Sequence, residues 1–422
     1  MSEHVGQRIR ELRKIRQMSV RQLANAVAIS ISALQKYENG TRHVPPGMLT
    51  RLAQALNVGP THLTGQPYLN GAETETQAQA VIPDLRRVLL SYDDPDDLLA
   101  PPRPLPVLIA ETEHVSAMRR DSKYVPMGPL LPGLLTELTH VALADRRSTA
   151  RRPGASLERQ QREAFRQLAI CYRAVNSLAH KLGYHDLSLT AIERVQWAAD
   201  CSDDGLMQAT AGYLKAGAMV RMGSFTSARR LLEGLMEEVE RMAPERSLPE
   251  AHLAVIGAML LKLAILEVRD GRLERAQERL AEARWYADRL PGDTLHYETS
   301  FGPSNLRIHE VAVLIDSGDT EQALVRIREW GAEQDREEWE PPADLARERS
   351  SHHYIDVASA KLAAGDRNGS YRDLLRAREI APHHTRFHPT VRSTAATLVR
   401  LDRAQHDSLA GFARWAGVQL TP

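Results

Sequence analysis

The chain has only two cysteines in 422 residues, Cys171 and Cys201. They lie far apart on expected helices and read as reduced packing residues rather than a disulfide framework. Long apolar runs are missing as well. The most hydrophobic stretch, LAVIGAMLLKLAIL, is 14 residues with Lys262 inside it, short of the ~20 residues that a membrane span needs. The opening MSEHVGQRIRELRK lacks the apolar region of a secretory signal. A cytoplasmic chain without membrane contact is expected. Lysine is scarce, seven of 54 basic residues, a bias attributable to a GC-rich genome. Catalytic signatures are absent too: no Walker loop, dinucleotide fingerprint or nucleophile elbow. His309-Glu310 would need a histidine at 313 to make a zinc-protease pair, and Val313 stands there. In APHHTRFHP, His383, His384 and His388 read as neighbours in a Pro-bounded loop without helical ligand spacing or a nearby carboxylate. No metal, no cofactor and no enzymatic activity are expected, which leaves a binding protein.

What the sequence does contain is ordinary in bulk: 43% hydrophobic and 26% charged residues, the range of a globular protein long enough for two or three domains. The net charge of zero conceals an asymmetry. Residues 1–68 hold nine Lys/Arg and three acids, an excess of six positive charges offset over the rest of the chain. A small basic head on a mildly acidic body suits a polyanionic partner.

Within that head, Val5, Ile9 and Leu12 mark one face of a first helix ending near Arg16. Ser19 stands where it would cap a second helix with Leu23, Ala24 and Val27 inward. After the short break VAIS, Ser30 would cap a third helix burying Leu34 and Tyr37 and stopping at Gly40. Two short helices around a tight turn make a helix-turn-helix. PPGMLTRLAQALNV and GPTHLTG supply a fourth and a fifth helix, prolines first.

Leu23-Ala24, Ile29-Ser30, Tyr37-Glu38-Asn39-Gly40 and RLAQALNV…HLTG give residues 5–65 a specific resemblance to the phage-repressor (Cro/C1, or XRE) type of DNA-binding domain. One position departs from that family: the turn usually has Gly where this chain has Ala28, which in a left-handed conformation costs on the order of 1–2 kcal/mol. The resemblance implies that the third helix enters the major groove of a double-stranded, palindromic operator. Ile31, Ser32, Gln35 and Lys36 would then face base edges, Lys36 suiting guanine, Gln35 adenine and Ile31 a thymine methyl. Arg21, Ser30, Asn39, Thr41 and Arg42 belong to the same surface, the last three beside phosphates. Simple packing of Ile31 against the end of the second helix is the competing reading.

Residues 69–104 change character, with seven acids and three bases, a Pro-rich end and one helical pattern, IPDLRRVLLSY. They read as a linker with one docking helix. From 105 to 422 the pattern is helical throughout, with a recurrent stop. Five glycines each precede a small residue by five positions: Gly183/Ser188, Gly223/Ala228, Gly271/Ala276, Gly318/Ala323 and Gly365/Ser370. Each glycine ends one amphipathic helix and opens the next, so the expected architecture is all-α, a five-helix head joined to a solenoid of helical hairpins. A degenerate first repeat falls around Ser122, Pro382 closes the last, and STAATLVRLDRAQHDSLAGFARWAGV would cap the end. The basic stretch RRSTARRPG at 146–154 reads as a solvated inter-repeat loop or, alternatively, a phosphate contact.

The Gly/small-residue pair resembles tetratricopeptide repeats lengthened beyond 34 residues. Head and body together resemble regulators of the peptide-pheromone quorum-sensing (RRNPP) type and actinobacterial regulators of the same plan. That resemblance implies a homodimer whose solenoid senses a peptide or small-molecule effector on its concave face. A solenoid acting only as a protein-interaction scaffold is the alternative. Numbering each hairpin's first helix back from its glycine places Arg173, Ser177, His180, Tyr213, Arg221, Arg269, Asn305, His309 and His352 inward. Arg173, Tyr213, Asn305 and His352 are expected to converge on one cavity, unless Asn305 merely bridges neighbouring elements.

Overall fold

Local capping chemistry builds the head as expected. The structure, a computed structural model, describes residues 4–66, 77–95, 98–144, 155–244, 248–402 and 407–418. The expected basic loop at 146–154 and most of the linker's polar start lie outside these residues. The head consists of α1 (Val5–Ile15), α2 (Val20–Ala26), α3 (Ile31–Glu38), α4 (Pro46–Ala55) and α5 (Pro60–Thr64). Ser19 Oγ accepts from Gln22 N at 3.1 Å while Gln22 Oε1 accepts from Ser19 N at 2.7 Å, a reciprocal capping box. Ser30 Oγ caps α3 by accepting from Ala33 N at 3.1 Å. Between α2 and α3, Ala28 adopts φ +55°, so this turn keeps the left-handed geometry despite its Cβ. Ile9, Leu23, Ala24, Val27, Leu34, Leu52 and Leu56 form the head's core.

One bond that the helical pattern does not reveal crosses this core. Arg13 on α1 and Glu38 at the end of α3 are both buried and pair through two hydrogen bonds, Nε to Oε1 at 2.6 Å and Nη2 to Oε2 at 3.0 Å. Arg13 Nη1 also donates to the Met18 carbonyl at 2.9 Å. The guanidinium thus ties α1, the α1–α2 turn and α3 together.

The body opens with α6 (Ile82–Leu90), α7 (Leu105–Arg120) and α8 (Leu131–Ala142). Five hairpins follow: α9 (Ala155–Leu182) with α10 (His185–Ser202), α11 (Gly205–Met222) with α12 (Phe225–Met242), α13 (Glu250–Arg269) with α14 (Leu273–Ala287), α15 (Pro303–Ser317) with α16 (Thr320–Ala332), and α17 (Arg347–Ala364) with α18 (Arg367–Ile380). The chain ends in α19 (Pro382–Phe387), α20 (Pro389–Leu401) and α21 (Asp407–Trp415). All five stop glycines sit at left-handed φ, between +78° and +92°, where a Cβ would be strained. The small residue five positions later is buried in every case, so the paired helices meet there without a bulky side chain between them. Ser122 likewise takes φ +58° and is buried. Helix α13 is the one described helix apolar and long enough to cross a membrane, and most of it is buried in the solenoid core.

Two local features depart from the sequence reading. A two-stranded antiparallel hairpin, β1 (Thr294–His296) and β2 (Thr299–Phe301), interrupts the helices between α14 and α15. Its turn residues Tyr297 and Glu298 both have positive φ, the mirror-image turn that matches strand twist, without the Asn-Gly or Asp-Gly pair that usually announces it. Phe301 is fully buried against α13, where a Cβ on Gly257 would stand 2.1 Å from its ring. The second departure is the stretch expected to be a Pro-bounded loop. Residues 382–387 are helical, Pro382 supplying the first turn, and His384 and His388 stand four residues apart beside a carboxylate, Glu348.

Candidate nucleic-acid interface and the cavity behind it

Exposure separates the two faces of α3. Leu34, Tyr37 and Glu38 are buried, whereas Ile31, Ser32, Gln35, Lys36 and Asn39 are exposed. Arg21, Ser30, Thr41 and Arg42 are exposed beside them. Thr41 Oγ1 donates to the Lys36 carbonyl at 3.2 Å, and the Arg42 guanidinium lies 5.4 Å from the centre of the Tyr37 ring, which orients both residues at the helix end. This surface offers cations, amide and hydroxyl groups and one apolar side chain, and the nine residues expected to meet DNA all lie on it. Donors and acceptors of these kinds suit major-groove edges and phosphates.

The head rests on the solenoid through polar contacts that, among the described residues, involve Gly40, His43, Gly47 and Gln54. Arg400 of α20 donates from Nε and Nη2 to the Gly40 carbonyl at 3.0 and 2.7 Å. His43 Nδ1 and Ser393 Oγ are 2.7 Å apart. Gln54 Nε2 donates to the carbonyl of Gly223 at 3.1 Å. Asp316 of α15 accepts from Gly47 N at 3.2 Å and from Arg269 Nε at 2.8 Å. Helix α4 begins at Pro45-Pro46 with no cap of its own, so the solenoid's Asp316 satisfies its N-terminus from another part of the chain. His43 is buried, and desolvation lowers it to about 4, so it meets Ser393 uncharged.

Between these contacts lies a cavity of about 420 Å³. The head lines it with Val44, Leu49, Thr50 and Thr61 among others, and the solenoid lines it from α9, α11, α13, α15, α17 and α20. Its floor carries an unusual excess of cations. Lys262 Nζ lies 3.9 Å from the centre of the Tyr213 ring, and burial lowers its pKa. Arg221 makes no hydrogen bond or ion pair among the described residues, and burial, then the neighbouring Arg269, pushes it down to about 10. Burial would raise the Tyr213 phenol, but Lys262, Arg349 and Arg173 together bring it down. The opposing acids are Asp316, engaged by Arg269 and Gly47, and Asp356, which burial and then Asp316 push up to about 7. The cavity therefore carries net positive charge at neutral pH, with an apolar rim from Val220, Ile265, Ile308 and Ile315.

The inward residues named from the sequence divide between two compartments. His180, Tyr213, Arg221, Arg269, His309 and His352 line the large cavity. Arg173 and Asn305 line a smaller one of about 90 Å³, with Tyr213 and His309 on the wall between. Ser177 is half-buried and lines neither. The expected convergence of Arg173, Tyr213, Asn305 and His352 on one cavity is thus corrected, and the β-hairpin is the reason. Arg173 donates to the Tyr297 and Glu298 carbonyls at 3.3 and 2.6 Å, and Asn305 Nδ2 donates to the Ser300 carbonyl at 2.8 Å. Both side chains hold the hairpin, although Asn305 Oδ1 is buried without a partner. The hairpin's tip, Glu298, accepts from Arg119 Nη2 and Ser116 Oγ, each at 2.6 Å. Sequence reading missed Lys262 and Arg349, since a lysine inside an apolar run reads as an interruption of a core helix rather than as a cavity group.

Residues 4–64 match a family model described as a helix-turn-helix domain. The chain is 41% identical over 59 residues to the uncharacterised HTH-type transcriptional regulator y4wC of Sinorhizobium fredii (strain NBRC 101917 / NGR234), 14% of this chain and 41% of that protein. It is 35% identical over 88 residues to the uncharacterised HTH-type transcriptional regulator RghRB of Bacillus subtilis (strain 168), 21% of this chain and 58% of that one. This chain thus spans about two fifths to three fifths of these curated relatives. Among solved structures it is similar to the apo form of the competence regulator ComR from Streptococcus vestibularis, at 13% identity and a TM-score of 0.22 over 76% of this chain and 97% of that one. BtubC (BKLC) from P. vanneervenii aligns at 16% identity and a TM-score of 0.35, over 65% of this chain and 90% of that one. The N-terminal domain is a helix-turn-helix.

Proposed function

We propose that the chain is a cytoplasmic, homodimeric transcriptional regulator whose operator affinity is set by an anionic effector, a short peptide or a small acid, bound between head and solenoid. The observation that carries this reading is the two-sided wall of the large cavity. A ligand there would touch head residues such as Leu49 and solenoid residues such as Arg221 and Lys262 at once, so its binding energy depends on how the head is held. Only such differential contact can shift a conformational equilibrium. The docked head leaves the outer face of α3 exposed. The effector would then act on head position, and so on the fit of two heads to half-sites about 34 Å apart, rather than by uncovering a buried surface.

Two head substitutions test the DNA half of the proposal. Lys36→Ala is expected to weaken operator binding by roughly 1–3 kcal/mol while sparing non-specific DNA. Arg42→Ala is expected to weaken all sequences alike and to lessen the slope of log K against log salt by about 0.9. Fluorescence anisotropy over a salt series separates these outcomes, and wild-type operator binding by both variants would remove α3 as the reading helix.

A third substitution tests the effector half. Arg221 carries a partly buried charge with no partner among the described residues, which is unfavourable until an anion arrives. Arg221→Met should therefore raise the melting temperature of the free protein by a few degrees, roughly the effect of 1 kcal/mol, and abolish stabilisation by any acidic effector found in a thermal-shift screen of peptides and carboxylic acids. A lower melting temperature would show that Arg221 holds the fold.

A further inference from the structure

Three histidines from separate elements meet beside the large cavity. His352 lies on α17, His384 on α19, and His388 caps α20. One imidazole nitrogen from each lies within 4.8 Å of the others, and the ring centres are 5.2 to 5.8 Å apart. Their hydrogen bonding is incomplete in a way that buried imidazoles rarely tolerate. His384 is fully buried, and neither of its ring nitrogens has a hydrogen-bond partner. Nδ1 of His352 and Nδ1 of His388 are also buried and unpartnered. Four unpaired polar atoms at one point would be a considerable cost to the fold if nothing joined them.

We infer that His352, His384 and His388 form a binding site for a first-row divalent transition cation of the zinc class. Imidazole suits that class, and three histidines with a fourth position open are a familiar zinc donor set. An ion centred among the three nitrogens would stand at most about 2.8 Å from each, so side-chain rotation of under ~1 Å reaches the 2.0–2.1 Å of a zinc–nitrogen bond.

Carboxylates stand behind two of the rings. Glu348 Oε1 is 3.9 Å from His384 Nδ1, and Asp356 Oδ2 is 3.6 Å from His352 Nε2. Both stand just beyond hydrogen-bond distance, close enough for a small side-chain shift to bring them to the outer position that orients metal-bound histidines. The nearest ammonium, Lys181, pairs with Glu348 at 2.9 Å, which offsets its charge. His352 and His388 also line the large cavity, so the fourth coordination position faces it. An ion there would lock α20 to α17, and α20 carries Ser393 and Arg400, which hold the head. This site does not depend on the effector proposal.

The test uses the full chain without a polyhistidine tag, stripped with a chelator and titrated with Co²⁺ and then Zn²⁺. One equivalent of Co²⁺ should give the visible absorption of a tetrahedral or five-coordinate nitrogen site, and Zn²⁺ should abolish it. Zn²⁺ should also raise the melting temperature in a concentration-dependent manner. His384→Ala and the more accessible His352→Asn should both lose the absorption and the thermal shift, while His383→Ala keeps both. Glu348→Gln should retain binding weakened about 10–100-fold. Melting of each variant in chelator reports its folding, and His352→Asn carries the test should His384→Ala fail to fold. Absence of saturable binding, or equal binding by wild type and both ligand variants, would overturn the site.

Discussion

Glu38→Ala is expected to unfold the helix-turn-helix head while the solenoid stays folded. The Glu38 carboxylate is the buried partner of the Arg13 guanidinium, held by two hydrogen bonds of 2.6 and 3.0 Å. Removing it strands a buried cation, at a cost of roughly 3–5 kcal/mol. A head of some 60 residues has a net stability of only about this size. Thermal unfolding should separate into an early transition for the head and a later one for the body, and binding to any DNA should fall together. The double variant Arg13→Met with Glu38→Leu should recover most of the lost stability, because an apolar pair of similar volume avoids the desolvation that the ion pair suffers. An unchanged melting curve for Glu38→Ala would show that water already reaches Arg13.

The second large effect is expected at the tip of the β-hairpin. Glu298 lies among Arg119, Arg120, Arg173 and Ser116, and Glu298→Ala leaves the buried Arg119 and Arg173 to repel each other. The loss should be about 3–5 kcal/mol, and the hairpin should become open to proteolysis between Thr294 and Phe301. The same group predicts a pH dependence. Burial alone would raise its carboxyl, but Arg119 and Arg173 with the Ser116 hydrogen bond overcome burial and hold it at about 2. A depressed folded-state value means stability that is complete above the unfolded-chain value, near 4.5, and lost as pH falls towards 2. The amount lost is at most roughly 3 kcal/mol. Melting temperatures of wild type should therefore drop more steeply between pH 5 and pH 3 than those of Glu298→Gln. Parallel curves would mean that Glu298 is not ionised in a charge cluster.

The features legible in the amino-acid order are those made by neighbours a few residues apart. Ser19 and Ser30 cap the helices that follow them because a hydroxyl reaches an amide three residues on. Glycines 183, 223, 271, 318 and 365 end helices because left-handed φ is cheap only without a Cβ. The small residue five positions later then sits where two helices touch. Such rules suffice for a helix-turn-helix, a chain of hairpins and the exposed side of α3. They do not suffice for the hairpin at 294–301, whose turn residues Tyr297 and Glu298 are neither glycine nor asparagine and are held from outside by Arg173 and Arg119.

Everything that joins head to body was decided at longer range. Gly47 and Asp316 are 269 residues apart, His43 and Ser393 350, and Gly40 and Arg400 360. No local preference links such positions. They meet because the packing of successive hairpins sets α15 and α20 against the head. That packing turns Lys262, an interruption in an apolar helix, into a cavity cation. Separately, the packing of α17 on α19 and α20 brings His352 within reach of His384 and His388. Short-range hydrogen bonding and backbone sterics suffice to make the elements of this protein. Its charged cavity exists because head and solenoid pack together, and its histidine cluster because the C-terminal helices pack on one another.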